Sequence, residues 1–204
     1  MSKSSQWLLL TGLGVLIISP DSLLIRLVNI SDFSLIFYRS YLQAVPLFLF
    51  CLFIYRRNTL SAFLAIGIPG IVYALMFATT HIAFVYSIQH TAVSNTLVII
   101  AGAPIFSAIF SIIFLNEKPS FFTWLIIFIA LASMFIIGWG SYTTSGIFGD
   151  FMAIICAIAM GSGVVLARYF KKIDLVPACF VGCIIAGLFT LPFEIDFNLN
   201  FDQI

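Results

Sequence analysis

Long uninterrupted apolar runs constrain this chain more than any other feature. A helix needs about 17–25 apolar residues to cross a bilayer. Seven stretches are candidates, of which the last is short: 7–27, 33–55, 65–87, 92–115, 121–140, 149–168 and 178–193. The chain is 62% hydrophobic and only 8% charged, whereas soluble domains carry about 25% charged residues. A membrane β-barrel would alternate in polarity within segments of about ten residues. The sequence therefore predicts an all-α, polytopic membrane protein.

The cations predict the orientation of these helices. Lys and Arg collect in the connections on one side, at Lys3, Arg56, Arg57, Lys118, Arg168, Lys171 and Lys172. The connections on the other side, 28–32, 89–91 and 141–148, contain neither residue type. Because Lys and Arg are enriched in cytoplasmic loops, we expect a cytoplasmic N-terminus and a multi-pass protein of the cytoplasmic (inner) membrane.

A short pattern occurs once in each half of the chain. Leu24, Arg26 and Asp32 recur with the same spacing as Leu166, Arg168 and Asp174. Five predicted helices make up one copy, and an odd number inverts the next copy in the membrane. The sequence thus predicts a first five-helix repeat at 7–140 and the start of a second, with two helices, at 149–204. Inverted repeats of this kind build many secondary transporters.

Residues 91–138 carry further motifs: Pro104 within a helix of small residues, Glu117 at the end of that helix and Trp124 in the next one. Arg39 adds a cation inside the second helix. In these positions the chain resembles the EamA-like family of the drug/metabolite transporter superfamily. The resemblance implies ten helices in two inverted five-helix repeats, of which seven are present here, around a central cavity that opens alternately to each side.

Charged residues inside membrane helices are costly and mark functional candidates. Asp21 and Arg39 each lie roughly 9 Å below the outer surface, at about 1.5 Å of helix rise per residue. On adjacent antiparallel helices they would meet, so we expect them to pair near the outer part of a substrate cavity. The alternative is an architectural ion pair that joins the first two helices.

Polar and aromatic residues on the second to fourth helices extend this candidate site. The predicted substrate-binding set is Asp21, Tyr38, Arg39, Gln43, Tyr73, Thr80, His81 and Asn95. Asp21 and His81 are also candidate proton carriers, since histidine titrates near neutral pH when it meets water. The competing explanation is hydrogen bonding between helices. Glu117 is interpreted as a helix-end or gate residue.

We therefore expect the protein to transport a small metabolite, an amino-acid-like solute or a drug by gradient-driven alternating access. The sequence has no nucleophile elbow, P-loop or dinucleotide fingerprint, so we expect neither an enzyme nor a cofactor. It has no basic run that would bind nucleic acid. The expected partners are a small-molecule substrate, the lipid bilayer, and a second copy of the chain or another transporter subunit. A non-transporting fragment is the alternative, and a membrane-embedded enzyme or channel is a weaker one.

Overall fold

The computed structural model describes residues 12, 14, 20–28, 30–139, 146–170, 174–193 and 195. These residues form helices, and no strand occurs among them. The helices are α1 (Asp21–Leu27), α2 (Asp32–Tyr55), α3 (Thr59–Ala65), α4 (Gly67–His90), α5 (Val93–Ile100), α6 (Ala103–Leu115), α7 (Phe121–Trp139), α8 (Ile147–Tyr169) and α9 (Leu175–Thr190). The predicted all-α class is confirmed. Most of the predicted first helix, 7–27, falls outside the described residues.

Helix length and composition agree with a membrane protein. Within the described part of the chain, four helical stretches are long and apolar enough to cross a membrane: Asp32–Ala65, Gly67–His90, Val93–Leu115 and Ile147–Tyr169. The apolar helix α9 is shorter. Large apolar side chains are exposed along α2, α7 and α8, among them Phe53, Phe121 and Phe151. In a membrane these side chains face lipid.

The predicted span 92–115 is present as Val93–Leu115, and within it a turn at Ala101 and Gly102 separates α5 from α6. Pro104 has no N–H and leaves the carbonyl of Ile100 without its usual helical donor. The backbone adapts with tighter bonds, since the N–H of Gly102 donates to the carbonyl of Ile99 at 3.0 Å. This turn lies near the middle of the span Val93–Leu115.

The segment 56–64, predicted as a connection, is also helical. Arg56 adopts a left-handed conformation with φ of 49° at the end of α2. A 3₁₀ turn, Arg56–Asn58, then leads into α3, and the Thr59 hydroxyl donates to the Arg56 carbonyl at 2.7 Å. The chain therefore bends without leaving helical structure.

Helices α4 and α8 form the centre of the bundle and share its most extensive contact. Helix α9 packs against α2 and α4, α6 packs against α8, and α7 contacts mainly α5. Small residues make these contacts close. Fully buried positions include Ala74, Ala153, Ala157, Ala178 and Ala186.

The bundle has two ends, which we name by their residues. The Thr91 end holds the C-terminal ends of α1 and α4 and the start of α2, α5 and α8, and there Thr91 contacts Asp150. The basic end holds the C-terminal ends of α2, α6 and α8 and the start of α7 and α9, and there Arg168 contacts Glu117. The described cations of the basic end are Arg56, Arg57, Lys118 and Arg168.

Two glycines on α8 allow a matched test of this packing. A Cβ at Gly161 would lie 2.8 Å from the carbonyl oxygen of Ala103, whereas a Cβ at Gly163 would meet only the Tyr73 ring, at 3.8 Å. Both substitutions to alanine gain about 1 kcal/mol of helix propensity. We expect Gly161→Ala to lower the Tm in detergent because α6 must move away from α8. Gly163→Ala should leave the Tm unchanged or raise it, and equal shifts in both variants would contradict the α6–α8 contact.

Candidate functional site

An ion pair joins the first two helices inside the bundle. Nη2 of Arg39 on α2 donates to Oδ2 of Asp21, the first residue of α1, at 2.6 Å. The guanidinium also lies over the ring of Phe84 on α4, with 5.2 Å between Cζ and the ring centroid. The side chains are 23% and 35% exposed, respectively. The predicted pairing of Asp21 with Arg39 is confirmed.

Three buried polar side chains have an atom without a hydrogen-bond partner within the described structure. These atoms are Oγ of Ser40, Nδ1 of His81 and Nδ2 of Asn95. The residues are 1%, 7% and 5% exposed. More than nine in ten buried polar groups in proteins are satisfied, so these three atoms are the exceptional feature of the interior. The sequence pointed to His81 and Asn95 but not to Ser40, because a serine in an apolar helix gives no distinctive signal.

His81 and Asn95 are held in place by their neighbours. The His81 ring packs at 4.8 Å from the ring of Phe77, one turn earlier on α4. Next to Asn95, the hydroxyl of Thr96 hydrogen-bonds that of Ser87 at 2.7 Å and so ties α5 to α4. Both His81 and Asn95 are buried in the packed interior.

Among the remaining predicted residues, Thr80 and Tyr73 contact groups of their own helix. The Thr80 hydroxyl donates to the Met76 carbonyl of its own helix at 2.9 Å. Tyr73 stacks on Phe77 with 6.5 Å between ring centroids. Tyr38 and Gln43 are half-buried on α2. The structure thus brings Asp21 and Arg39 together, as the sequence predicts.

The cysteines are free thiols, and Cys51, Cys156 and Cys183 are buried. The thiol of Cys156 contacts the Thr80 carbonyl at 3.6 Å and so joins α8 to α4. Among the described residues, no group of three or more His, Cys, Asp or Glu is arranged to hold a metal ion.

The Thr91 end is closed by contacts that centre on the last residues of α4. Nη1 of Arg26 donates to the carbonyls of Ile88 and Gln89 at 2.8 and 2.9 Å. In return, Nε2 of Gln89 donates to the carbonyl of Ile25 at 3.1 Å. These bonds attach α1 to α4 and satisfy carbonyls at the end of α4 that have no donor within the helix.

The next two residues attach α4 to α2 and α8. Nε2 of His90 lies 2.7 Å from Oδ2 of Asp32, the first residue of α2. The Thr91 hydroxyl donates to Oδ1 of Asp150 at 2.8 Å. A Cβ at Gly149 would fall within 2.7 Å of the Thr91 amide nitrogen, so the start of α8 lies directly on this segment. Four helices therefore meet at Gln89, His90 and Thr91.

The basic end is joined by fewer described contacts. Nη2 of Arg168 donates to Oε1 of Glu117 at 2.8 Å, just past the end of α6. The Tyr55 hydroxyl donates to the carboxylate of Asp174, which also caps α9 by accepting from the N–H of Val176 at 3.2 Å. The position of Glu117 at a helix end agrees with its interpretation from sequence.

The helical fold, its lipid-facing surface and its polar interior define a multi-pass membrane protein. Residues 5–139 match the EamA-like transporter family. The chain therefore belongs to that family, which is part of the drug/metabolite transporter superfamily. Its members are membrane transporters and not enzymes. Comparison with curated proteins and with solved structures gave no match.

The ion pair can be tested by a double-mutant cycle. Asp21→Asn and Arg39→Gln should each lower the free energy of unfolding, because each leaves an unpaired charge in the membrane interior. The double variant should be more stable than the sum of the two losses predicts, with a coupling energy of about 0.5–3 kcal/mol. Thermal unfolding of the four proteins in detergent measures it. A coupling energy of zero would show that the two side chains do not interact.

Proposed function

We propose that this protein moves a small metabolite, an amino-acid-like solute or a drug across the membrane by alternating access, driven by a gradient. The observation that carries the proposal is the pair of unpartnered nitrogens, Nδ1 of His81 and Nδ2 of Asn95, buried inside a member of a transporter family. A buried donor or acceptor that makes no hydrogen bond costs about 1–3 kcal/mol of free energy. A polar substrate would supply the missing partners while it is bound.

The surroundings favour a substrate with both polar and apolar parts. Arg39 and Asp21 offer opposite charges at 2.6 Å from each other, and Phe77 packs on His81. A zwitterionic or amphipathic molecule could contact both. The competing explanation is that Asp21–Arg39 only joins α1 to α2. Tyr38, Gln43, Tyr73 and Thr80 stay predicted substrate contacts for another conformation of the transport cycle.

The arrangement of helix ends supports the proposed repeat, with 7–140 as the first unit and 149–204 as the start of the second. Arg26 and Arg168 lie in the last turns of α1 and α8. Asp32 begins α2 and Asp174 caps α9. Corresponding motif residues therefore occupy corresponding positions at opposite ends of the bundle, as inverted repeats require. With the basic end in the cytoplasm, the N-terminus would lie inside and the protein in the inner membrane.

Transport can be tested in proteoliposomes by uptake of a panel of radiolabelled amino acids and by efflux of the cationic dye ethidium. We expect at least one of these probes to be carried. His81→Phe and Asn95→Leu should each lower the transport rate of that probe about two- to tenfold, because each variant loses about one hydrogen bond to the substrate. Thr79→Val is the matched control, because Thr79 lies on the same helix as His81 and its hydroxyl donates to the Leu75 carbonyl of that helix at 2.8 Å. Wild-type rates in both site variants would contradict the proposed site, and a folded chain that carries no probe would favour the non-transporting alternative.

Proton coupling through Asp21 or His81 predicts that an imposed pH gradient accelerates uptake. Asp21→Asn should abolish this acceleration while exchange of labelled for unlabelled substrate continues, because exchange needs no net proton movement. The measurement is uptake with and without the gradient in the same vesicles. Uptake that is indifferent to the gradient in the wild-type protein would exclude proton coupling.

Alternating access requires the contacts at the Thr91 end to break in each cycle. Thr91→Cys with Asp150→Cys, in a chain whose four native cysteines are alanine, places two thiols where a 2.8 Å hydrogen bond now stands. Oxidation should stop transport, and a reductant should restore it. The single-cysteine variants are the controls. Full transport by the oxidised double variant would show that this end does not open.

A further inference from the structure

A cavity of about 620 Å³ lies at the basic end, away from the ion pair and His81. It lies between α6 and α7, with the end of α8 on one side. Three hydroxyl side chains line it, those of Ser107, Ser111 and Thr123, together with the charged Glu117, Lys118 and Arg168. The proposed substrate site uses none of these residues.

The charges around this cavity do not balance. Arg168 is paired with Glu117 at 2.8 Å, and both side chains are about half exposed. Lys118 also lines the cavity, and no described carboxylate lies within 4.0 Å of it. The cavity therefore presents one unneutralised ammonium beside hydroxyl groups. Such a combination attracts an anion that can also accept hydrogen bonds, and phosphate is the common group of that kind.

An apolar groove of about 350 Å³ continues between the same two helices. Phe121, Trp124, Phe128 and Leu131 line it, and Ile127 belongs to both the groove and the cavity. A cation-lined cavity that adjoins a wholly apolar groove matches a molecule with an anionic head and a hydrocarbon tail. A soluble phosphate would use only the first of these spaces.

We propose that this cavity and groove form a binding site for an anionic phospholipid. The phosphate of the headgroup contacts Lys118 and the hydroxyls of Ser107 and Thr123, and an acyl chain lies along α7 past Ile127. Lysine near a membrane surface attracts anionic lipids, and basic pockets between membrane helices bind their headgroups. The lipid would fill the space between α6 and α7, where α7 otherwise has little contact with the bundle. This site does not depend on the proposed transport function.

Native mass spectrometry of the full chain in detergent tests the proposal. The protein is delipidated and titrated with phosphatidylglycerol or with phosphatidylcholine of the same acyl chains. We expect tighter binding of phosphatidylglycerol, and a loss of about fivefold in its affinity in Lys118→Gln. Arg57→Gln removes one charge from the same end of the bundle, but Arg57 lies outside the cavity. The affinity of this variant for phosphatidylglycerol should therefore equal that of the wild type. Equal affinity for the two lipids, or equal losses in the two variants, would overturn the proposal.

Two further experiments distinguish binding of the lipid headgroup from binding of the acyl chain. Inorganic phosphate in excess should not displace the lipid, and displacement would show that the cavity binds a soluble anion instead. Ile127→Trp should lower the affinity for phosphatidylglycerol by filling the junction of cavity and groove, whereas Ile136→Trp, exposed farther along α7, should not. Unchanged affinity in Ile127→Trp would overturn the assignment of the groove. Equal Tm values of the variants and the wild type confirm that each comparison is made on folded protein.

Discussion

The ion pair between Asp21 and Arg39 is the interaction on which the rest of this structure depends. A lone charge in the membrane interior costs several kcal/mol, and the carboxylate 2.6 Å away reduces that cost for Arg39. The pair joins α1 to α2 and turns the guanidinium toward Phe84, which belongs to α4. One paired cation thus links three helices, α1, α2 and α4.

Close packing of small residues supplies the scaffold that holds this polar centre. Between helices in lipid the hydrophobic effect gives little driving force, so backbones must approach closely. Alanine and glycine on α4, α8 and α9 make that approach possible, and Gly182 lies so near Ala74 that a Cβ would be 2.8 Å from its carbonyl oxygen. Larger apolar side chains form one compact cluster at the Thr91 end, around Ile36, Val85 and Ile88. The centre is therefore tightly packed, yet it leaves polar atoms of Ser40, His81 and Asn95 unpartnered.

Much of this arrangement could be predicted from the sequence, for identifiable reasons. Apolar runs indicated the helices because only helices satisfy the backbone within one membrane segment. Equal depth on antiparallel helices indicated the pairing of Asp21 with Arg39. The break before Pro104 was missed, although proline gave a local signal for it. The bonds of Gln89, His90 and Thr91 were missed because they join residues distant in sequence, with no local pattern. The cavity beside Lys118 depends on how α6 and α7 are placed, which no single segment encodes.

The central claim is that the polar interior meets water, and hence substrate, from alternate sides of the membrane. The most direct test is thiol accessibility of Asn95→Cys in a chain otherwise free of cysteine, with a membrane-impermeant reagent applied from one side of sealed vesicles and then from the other. The account predicts slow labelling from both sides, since the side chain is only 5% exposed in this conformation and each opening exposes it to one side. Labelling from neither side, while a cysteine at the exposed Arg57 reacts, would contradict the account and leave the interior as architecture alone.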